Sequence, residues 1–182
     1  MGPDFVRQAA LFYGLLAVAA ALWNGLRGRE FSIAGSVPGS LLLGMAAAFV
    51  TVSLGLAAYR LVPVMRKIAE ELAPVLVDRM GVWDLVLISV FSGVGEEMFF
   101  RGAMQPEFGL TVAAVAFGLV HIGPDRRYLV WTVWAILAGF LFGFLYRASG
   151  GLLAPVVAHS LHNAATFLIW KHSRKRAPGG EV

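Results

Sequence analysis

The feature that most constrains this chain is a succession of apolar runs close to the length of a membrane span. Six are legible, at residues 9–26, 41–59, 82–100, 110–122, 128–146 and 152–170. A helix rises about 1.5 Å per residue, so a hydrocarbon core about 30 Å thick takes roughly 20 predominantly apolar residues to cross. Lipid offers backbone amides no hydrogen-bonding partner, so runs of this length must satisfy themselves as helices. The sequence therefore predicts an all-α fold, a polytopic membrane helical bundle of about six transmembrane helices. Only 14% of the residues are charged, against roughly 25% in soluble domains, and a soluble globular protein is excluded.

Between the second and third runs, in residues 60–81, Val64, Ile68 and Leu72 recur at every fourth position, with Arg66, Lys67, Glu70 and Glu71 on other faces. That pattern predicts an amphipathic helix lying at the membrane interface, interrupted by Pro63 and Pro74. The chain divides into a two-span region with its connector (1–81), a core (82–170) and a basic C-terminal tail (171–182). The basic residues gather at the ends of the apolar runs. Eleven Lys and Arg fall on the side of Arg7, the connector, the 122–128 loop and the tail, and four on the other, namely Arg27, Arg29, Arg101 and Arg147. The positive-inside rule then predicts an integral membrane protein with both termini in the cytoplasm; the expected location is a bacterial cytoplasmic membrane. The formal charge of +4 is accounted for by this orientation and by contact with anionic lipid, so no nucleic-acid partner is expected. With no Cys, disulfides, thiolate nucleophiles and Cys-based metal sites are excluded. The first run lacks a clean small-residue cleavage site and is expected to be an uncleaved helix.

Against this apolar background a few polar residues stand out. Glu96 and Glu97 are adjacent in the third run, with Arg101 four residues after Glu97; His121 ends the fourth; His159, His162 and Asn163 lie in the sixth. A charged group at membrane depth is costly, by about 2.5 kcal/mol or more, and usually marks function. Glu97 and Arg101, at i and i+4, share a helix face and are expected to pair, with Glu96 turned about 100° away. His159 and Asn163 share a face in the same way, and Phe117 stands one turn before His121. Counting from the expected helix ends, Glu96, His121, His159 and Asn163 fall at depths of about 10–16 Å, a single layer near mid-membrane. The short fourth run, ending before Gly123 and Pro124, predicts a water-holding cavity at that end.

A carboxylate in a poorly solvated site can take a proton from water and later return it. Imidazole and carboxamide groups can donate to a developing oxyanion. The cluster suits hydrolysis of an amide or ester at membrane depth.

These residues resemble the motif set of the CPBP family, the CAAX-prenyl-protease-2/Abi group of intramembrane proteases, which includes lysostaphin-resistance-protein-A-like domains. EExxxR matches Glu96 to Arg101, FxxxH matches Phe117 to His121, and HxxxN matches His159 to Asn163. The resemblance implies a glutamic-type endopeptidase, a peptide hydrolase cutting a membrane-anchored protein or lipidated peptide. Glu96 would be the general base, His121 would help to hold the water, and His159 and Asn163 would stabilise the oxyanion. Glu97, Arg101 and Phe117 would support them. No cofactor is expected. A zinc site of Glu96, His121 and His159 has acceptable ligand types, but no spacing resembles the paired HExxH ligands of zinc proteases. The alternative function is a non-catalytic membrane binding or immunity protein using the same polar cluster, since intramembrane Glu and His also build relays and binding sites.

Overall fold

The computed structural model describes residues 2–175, with side chains over 4–173. The basic tail from Arg176 onward lies outside the described residues, as do the side chains of Arg174 and Lys175. The described elements are helical throughout, in the order α1 Gly2–Leu26, α2 Val37–Leu61, α3 Pro63–Ala73, a π-helical turn Pro74–Asp78, α4 Val82–Glu97, a π-helical stretch Met98–Met104, α5 Gln105–Leu119, a 3-10 turn Arg126–Tyr128, α6 Leu129–Ser149 and α7 Leu153–Lys175. The expected all-α class is the observed one.

The expectation of six spans is met only in part. Three helices are long and apolar enough to cross a membrane: Asp4–Leu26, Val37–Leu61 and Arg126–Ser149. The physical reason is instructive. α4 has 16 residues before its helical geometry changes, and α7 holds His159, Ser160, His162, Asn163 and Thr166 along its length. The helices that carry the polar cluster are those that fail the apolar test.

Two local expectations are corrected. Pro63 does not interrupt the amphipathic helix but starts it, standing in the first turn of α3, where a missing N–H costs nothing. It is Pro74 that changes the geometry, opening the π turn. The helix of the third run does not end with its apolar stretch at residue 100. Helical structure continues through Met98–Met104 into α5 and breaks only at Gly109, whose φ of 85° and ψ of 168° are non-helical. That left-handed φ is one that only glycine adopts readily, so Gly109 is where the chain reverses. Phe117, beyond the reversal, packs edge-on against Phe100 before it, with ring centroids 5.2 Å apart.

α4 lies between α1 and α7, α5 packs on the π-helical stretch and on α6, and α2 packs along α7. At one end the α1–α2 connector is stitched to the α6–α7 turn. The backbone N–H of Gly35 donates to Ser149 O at 2.8 Å, and those of Leu152 and Leu153 donate to Ser32 O and Ile33 O at 3.0 and 2.9 Å. Arg27 and Arg29 from that connector both pair with Glu107. At the other end Lys171 Nζ donates to the carbonyls of Val77 and Met80, and Trp170 Nε1 to Asp78 Oδ1 at 3.2 Å. These two sets of ties fix α7 lengthwise against α4.

Candidate active site

The adjacent carboxylates of α4 meet different partners. Glu97 and Arg101 are both fully buried. Arg101 Nη1 donates to Glu97 Oε1 at 3.0 Å, Nη2 donates to the Gly139 carbonyl of α6 at 3.1 Å, and the guanidinium lies 4.3 Å from the Phe117 ring centroid. A charge held away from water needs compensation, and here it comes from a carboxylate, a carbonyl and an aromatic face, while Arg101 Nε and Glu97 Oε2 have no hydrogen-bond partner. The same Glu97 oxygen takes His159 Nδ1 at 2.8 Å. Glu97 is thus shared between Arg101 and His159, where the spacing had assigned it to Arg101 alone.

Glu96, 8% exposed, points the other way. Its Oε2 has no hydrogen-bond partner and lies 3.9 Å from His121 Nε2, beyond direct hydrogen-bonding distance. His121 Nδ1 is 2.7 Å from the Phe117 carbonyl. A carbonyl can only accept, so Nδ1 carries a proton, and in the neutral form of the ring the Nε2 lone pair is turned toward Glu96. Two acceptors thus face one another at a separation that suits a small molecule donating to both. His121 is the more open of the two, with its side chain 28% exposed.

The remaining candidates divide. Phe117 is central: its ring lies 4.8 Å from that of His121 and 5.9 Å from that of His159. His159 is stacked on Phe142 at 5.2 Å, so ring packing and the bond to Glu97 together fix its plane. Asn163 is not drawn to the carboxylates; its Nδ2 donates to Ser92 Oγ on α4 at 3.0 Å. His162, one residue earlier, faces α2, with Nδ1 3.1 Å from Thr51 Oγ1. The structure therefore brings Glu97, Arg101, His159 and Phe117 into direct contact, sets Glu96 opposite His121, and leaves Asn163 at the edge through Ser92.

The side chains do not fit the zinc site weighed on sequence: among the described residues no group of three His, Asp or Glu is gathered closely enough to hold a metal ion.

Sequence reasoning missed Tyr13. It packs on α4 at the residue next to Glu96, where Gly95 lets the backbones touch: a Cβ on Gly95 would sit 2.6 Å from Tyr13 O. A signal was available. Tyr13 and Asn24 are eleven residues apart in a helix that is otherwise apolar after Gln8, close to three full turns, and so share one face. Asn24 is buried and donates to Gly102 O at 3.0 Å. Ser92 and the Gly139 carbonyl left no comparable trace, since serine and glycine are ordinary in packed membrane helices.

Residues 78–165, from the π turn ahead of α4 to the middle of α7, match the family described as type II CAAX prenyl endopeptidase Rce1-like, and the chain carries an Rce1-like domain over that stretch. The match leaves α1 and α2 outside. A curated relative, the uncharacterized protein YpbD of Bacillus subtilis strain 168, is 26% identical over 100 residues, which are 54% of this chain and 52% of that protein. The chain thus spans about half the length of the relative it matches. No solved structure is matched.

Proposed function

We propose that this chain is a glutamate-dependent intramembrane endopeptidase, hydrolysing a peptide bond in a membrane-anchored protein or lipidated peptide. One observation carries the reading: the unpartnered Glu96 Oε2 facing His121 Nε2 at 3.9 Å. A water donating one hydrogen to each acceptor keeps a lone pair free for attack. Glu96 takes one proton as the water oxygen bonds to the substrate carbonyl carbon and the carbonyl π pair moves onto its oxygen. The resulting oxyanion collapses, the C–N bond breaks, and Glu96 returns the proton to the leaving amine. His159 can donate to the oxyanion only from Nε2. Its Nδ1–H already serves Glu97, so this role requires the imidazolium, with Glu97 supplying the counter-charge. Asn163 keeps a second N–H beyond the one given to Ser92.

The family's description supports a prenylated or otherwise lipid-anchored substrate. The distribution of Lys and Arg supports both termini in the cytoplasm, with the catalytic core over residues 82–170. The test is mass spectrometry of membrane-protein termini from cells expressing the wild type or Glu96→Gln. New termini are expected with the wild type alone. Removing the base should slow cleavage by about 10²–10⁴-fold. Identical termini with both proteins would refute the mechanism and favour a binding protein.

A further inference from the structure

We propose that Ser92, which stands on α4 outside the three motifs, is a positioning residue for Asn163. Its hydroxyl oxygen fixes which way the Asn163 carboxamide is turned and so leaves the second N–H of Nδ2 for the developing oxyanion. The proposal rests on the reading of this cluster as a hydrolytic site and deepens it.

A carboxamide can face its surroundings in two opposite ways. Turned over, Asn163 would present its oxygen where a donor is needed, and an acceptor repels an oxyanion. Ser92 removes that ambiguity. It is buried and has a single hydroxyl hydrogen, which goes to the Ser89 carbonyl at 3.1 Å. Its Oγ is thereby left as an acceptor, and it takes Asn163 Nδ2 at 3.0 Å. Because the amide is planar, anchoring one N–H also sets the direction of the other. Ser89 is tied in the same manner, its Oγ donating to Leu85 O at 2.7 Å, so the hydroxyl side of the contact is held within α4.

The contact lies beside the groups it would serve. Ser92 stands one turn before Glu96 on α4, and Asn163 one turn after His159 on α7. The two helices meet at three levels. His159 Nδ1 is 2.8 Å from Glu97 Oε1, and Asn163 reaches Ser92 as above. Between them Gly93 abuts the Ser160 backbone, where an added Cβ would lie 3.0 Å from Ser160 N. A polar tie on either side of a backbone contact leaves the helices little freedom to slide, so Asn163 is held at one level beside His159. An oxyanion donor acts by being in place beforehand, and one such donor is commonly worth about 10²–10³-fold in kcat.

The experiment uses the full chain in proteoliposomes. Asn24 and Asn163 are its only asparagines, so isotope labelling of the asparagine side-chain nitrogen gives two carboxamide signals in solid-state NMR. The signal absent from Asn163→Ala belongs to Asn163. In Ser92→Ala that signal should shift, while that of Asn24, bonded to Gly102 O, should stay and report an intact fold. With a quenched peptide bearing a farnesylated cysteine as probe, Ser92→Ala should lower kcat about 10- to 100-fold with KM unchanged. In the Asn163→Ala background the same change should have no further effect, because Ser92 acts through Asn163. An unmoved Asn163 signal in Ser92→Ala overturns the proposal, as does a wild-type kcat on a cleaved probe. Equal losses in both backgrounds overturn it too, since Ser92 would then act on something other than Asn163. Cleavage by Glu96→Gln at the wild-type rate overturns instead the general-base reading, and an Asn163 signal that still shifts in Ser92→Ala distinguishes that failure from this one.

Discussion

Removing the charge on Glu97 should destabilise the fold far more than it alters any single contact. Arg101 is fully buried and would lose the only carboxylate it touches at hydrogen-bonding distance, 3.0 Å away. Breaking a buried ion pair by removing one partner costs about 3–5 kcal/mol, because the other charge is stranded. Glu97→Gln keeps the shape and leaves Arg101 its bond to Gly139 O at 3.1 Å and the Phe117 face at 4.3 Å. A desolvated cation–π contact is worth up to about 2 kcal/mol, so the loss should sit near the lower end, about 3 kcal/mol. Arg101→Met should cost a similar amount for the converse reason, with Glu97 left to His159 alone. The double variant Glu97→Gln/Arg101→Met strands neither charge and should cost clearly less than the two singles together, since apolar replacement of a whole buried pair is often near neutral. The discriminating quantity is the coupling, expected at about 3 kcal/mol, against an average of about 0.6 kcal/mol for neutral bonds between membrane helices. Equilibrium unfolding in lipid–detergent micelles, followed through the five tryptophans, measures it. Additive single effects would show that the pair is no more than two polar groups in separate niches.

Other outcomes follow from particular atoms. Gly95→Ala forces α1 away from α4, because the added methyl would overlap Tyr13 O at 2.6 Å; it should lower both thermal stability and cleavage, and wild-type melting would contradict the close approach. Gly109→Ala places a β-carbon at φ 85° and should cost about 1 kcal/mol or more in the same unfolding assay. Asp125 is held below its ordinary carboxylate range by the side-chain hydrogen bond from Arg127, aided by the Arg127 backbone N–H, and Arg127 also reaches Glu71 on α3 at 2.7 Å. A depressed carboxylate contributes order that is complete above its ordinary pKa of 3.8 and is lost as pH falls through the lower folded value. Amide exchange over residues 122–128, corrected for intrinsic rates, should therefore accelerate at acid pH in the wild type and be insensitive there in Asp125→Asn.

The sequence was most legible where one physical effect dominated. Apolar length made the helical class plain, and i, i+4 spacing joined Glu97 to Arg101 as the structure does at 3.0 Å. It was less legible where tertiary partners decide. The spacing of Glu97 and Arg101 could not reveal that His159, 62 positions away, would take the same carboxylate oxygen. His159 and Asn163 do share a face of α7, yet Asn163 turns to Ser92, because a carboxamide settles on the nearest hydroxyl rather than on the group that shares its motif. The gap read between the third and fourth runs is helical because Arg101, the charge that breaks the apolar run, is compensated from inside the fold and needs no water. Tyr13 was overlooked because a lone tyrosine in a membrane helix is usually an interfacial anchor, and only the pairing with Gly95 shows otherwise.

The failure of α4 and α7 to look like spans and the success of α1, α2 and α6 are two sides of one arrangement. Helices bearing Glu96, Glu97, Arg101, His159 and Asn163 cannot face lipid on all sides without exposing groups that hydrocarbon rejects. Each is accordingly clothed by an apolar neighbour: α1 on α4, α2 on α7, and α6 on α5. The share of each apolar span that is itself buried rises in the order α1, α2, α6, from 6% through 22% to 39%. α1 is therefore the cover with the fewest ties to the rest. It also packs on α4 at Gly95, next to Glu96, so its displacement would uncover the face of α4 that carries Glu96. We therefore expect a substrate segment arriving through the lipid to enter on that side, by movement of α1. A disulfide engineered between α1 and α4 should then abolish cleavage of a membrane-anchored substrate, and full activity of the cross-linked protein would place the entrance elsewhere.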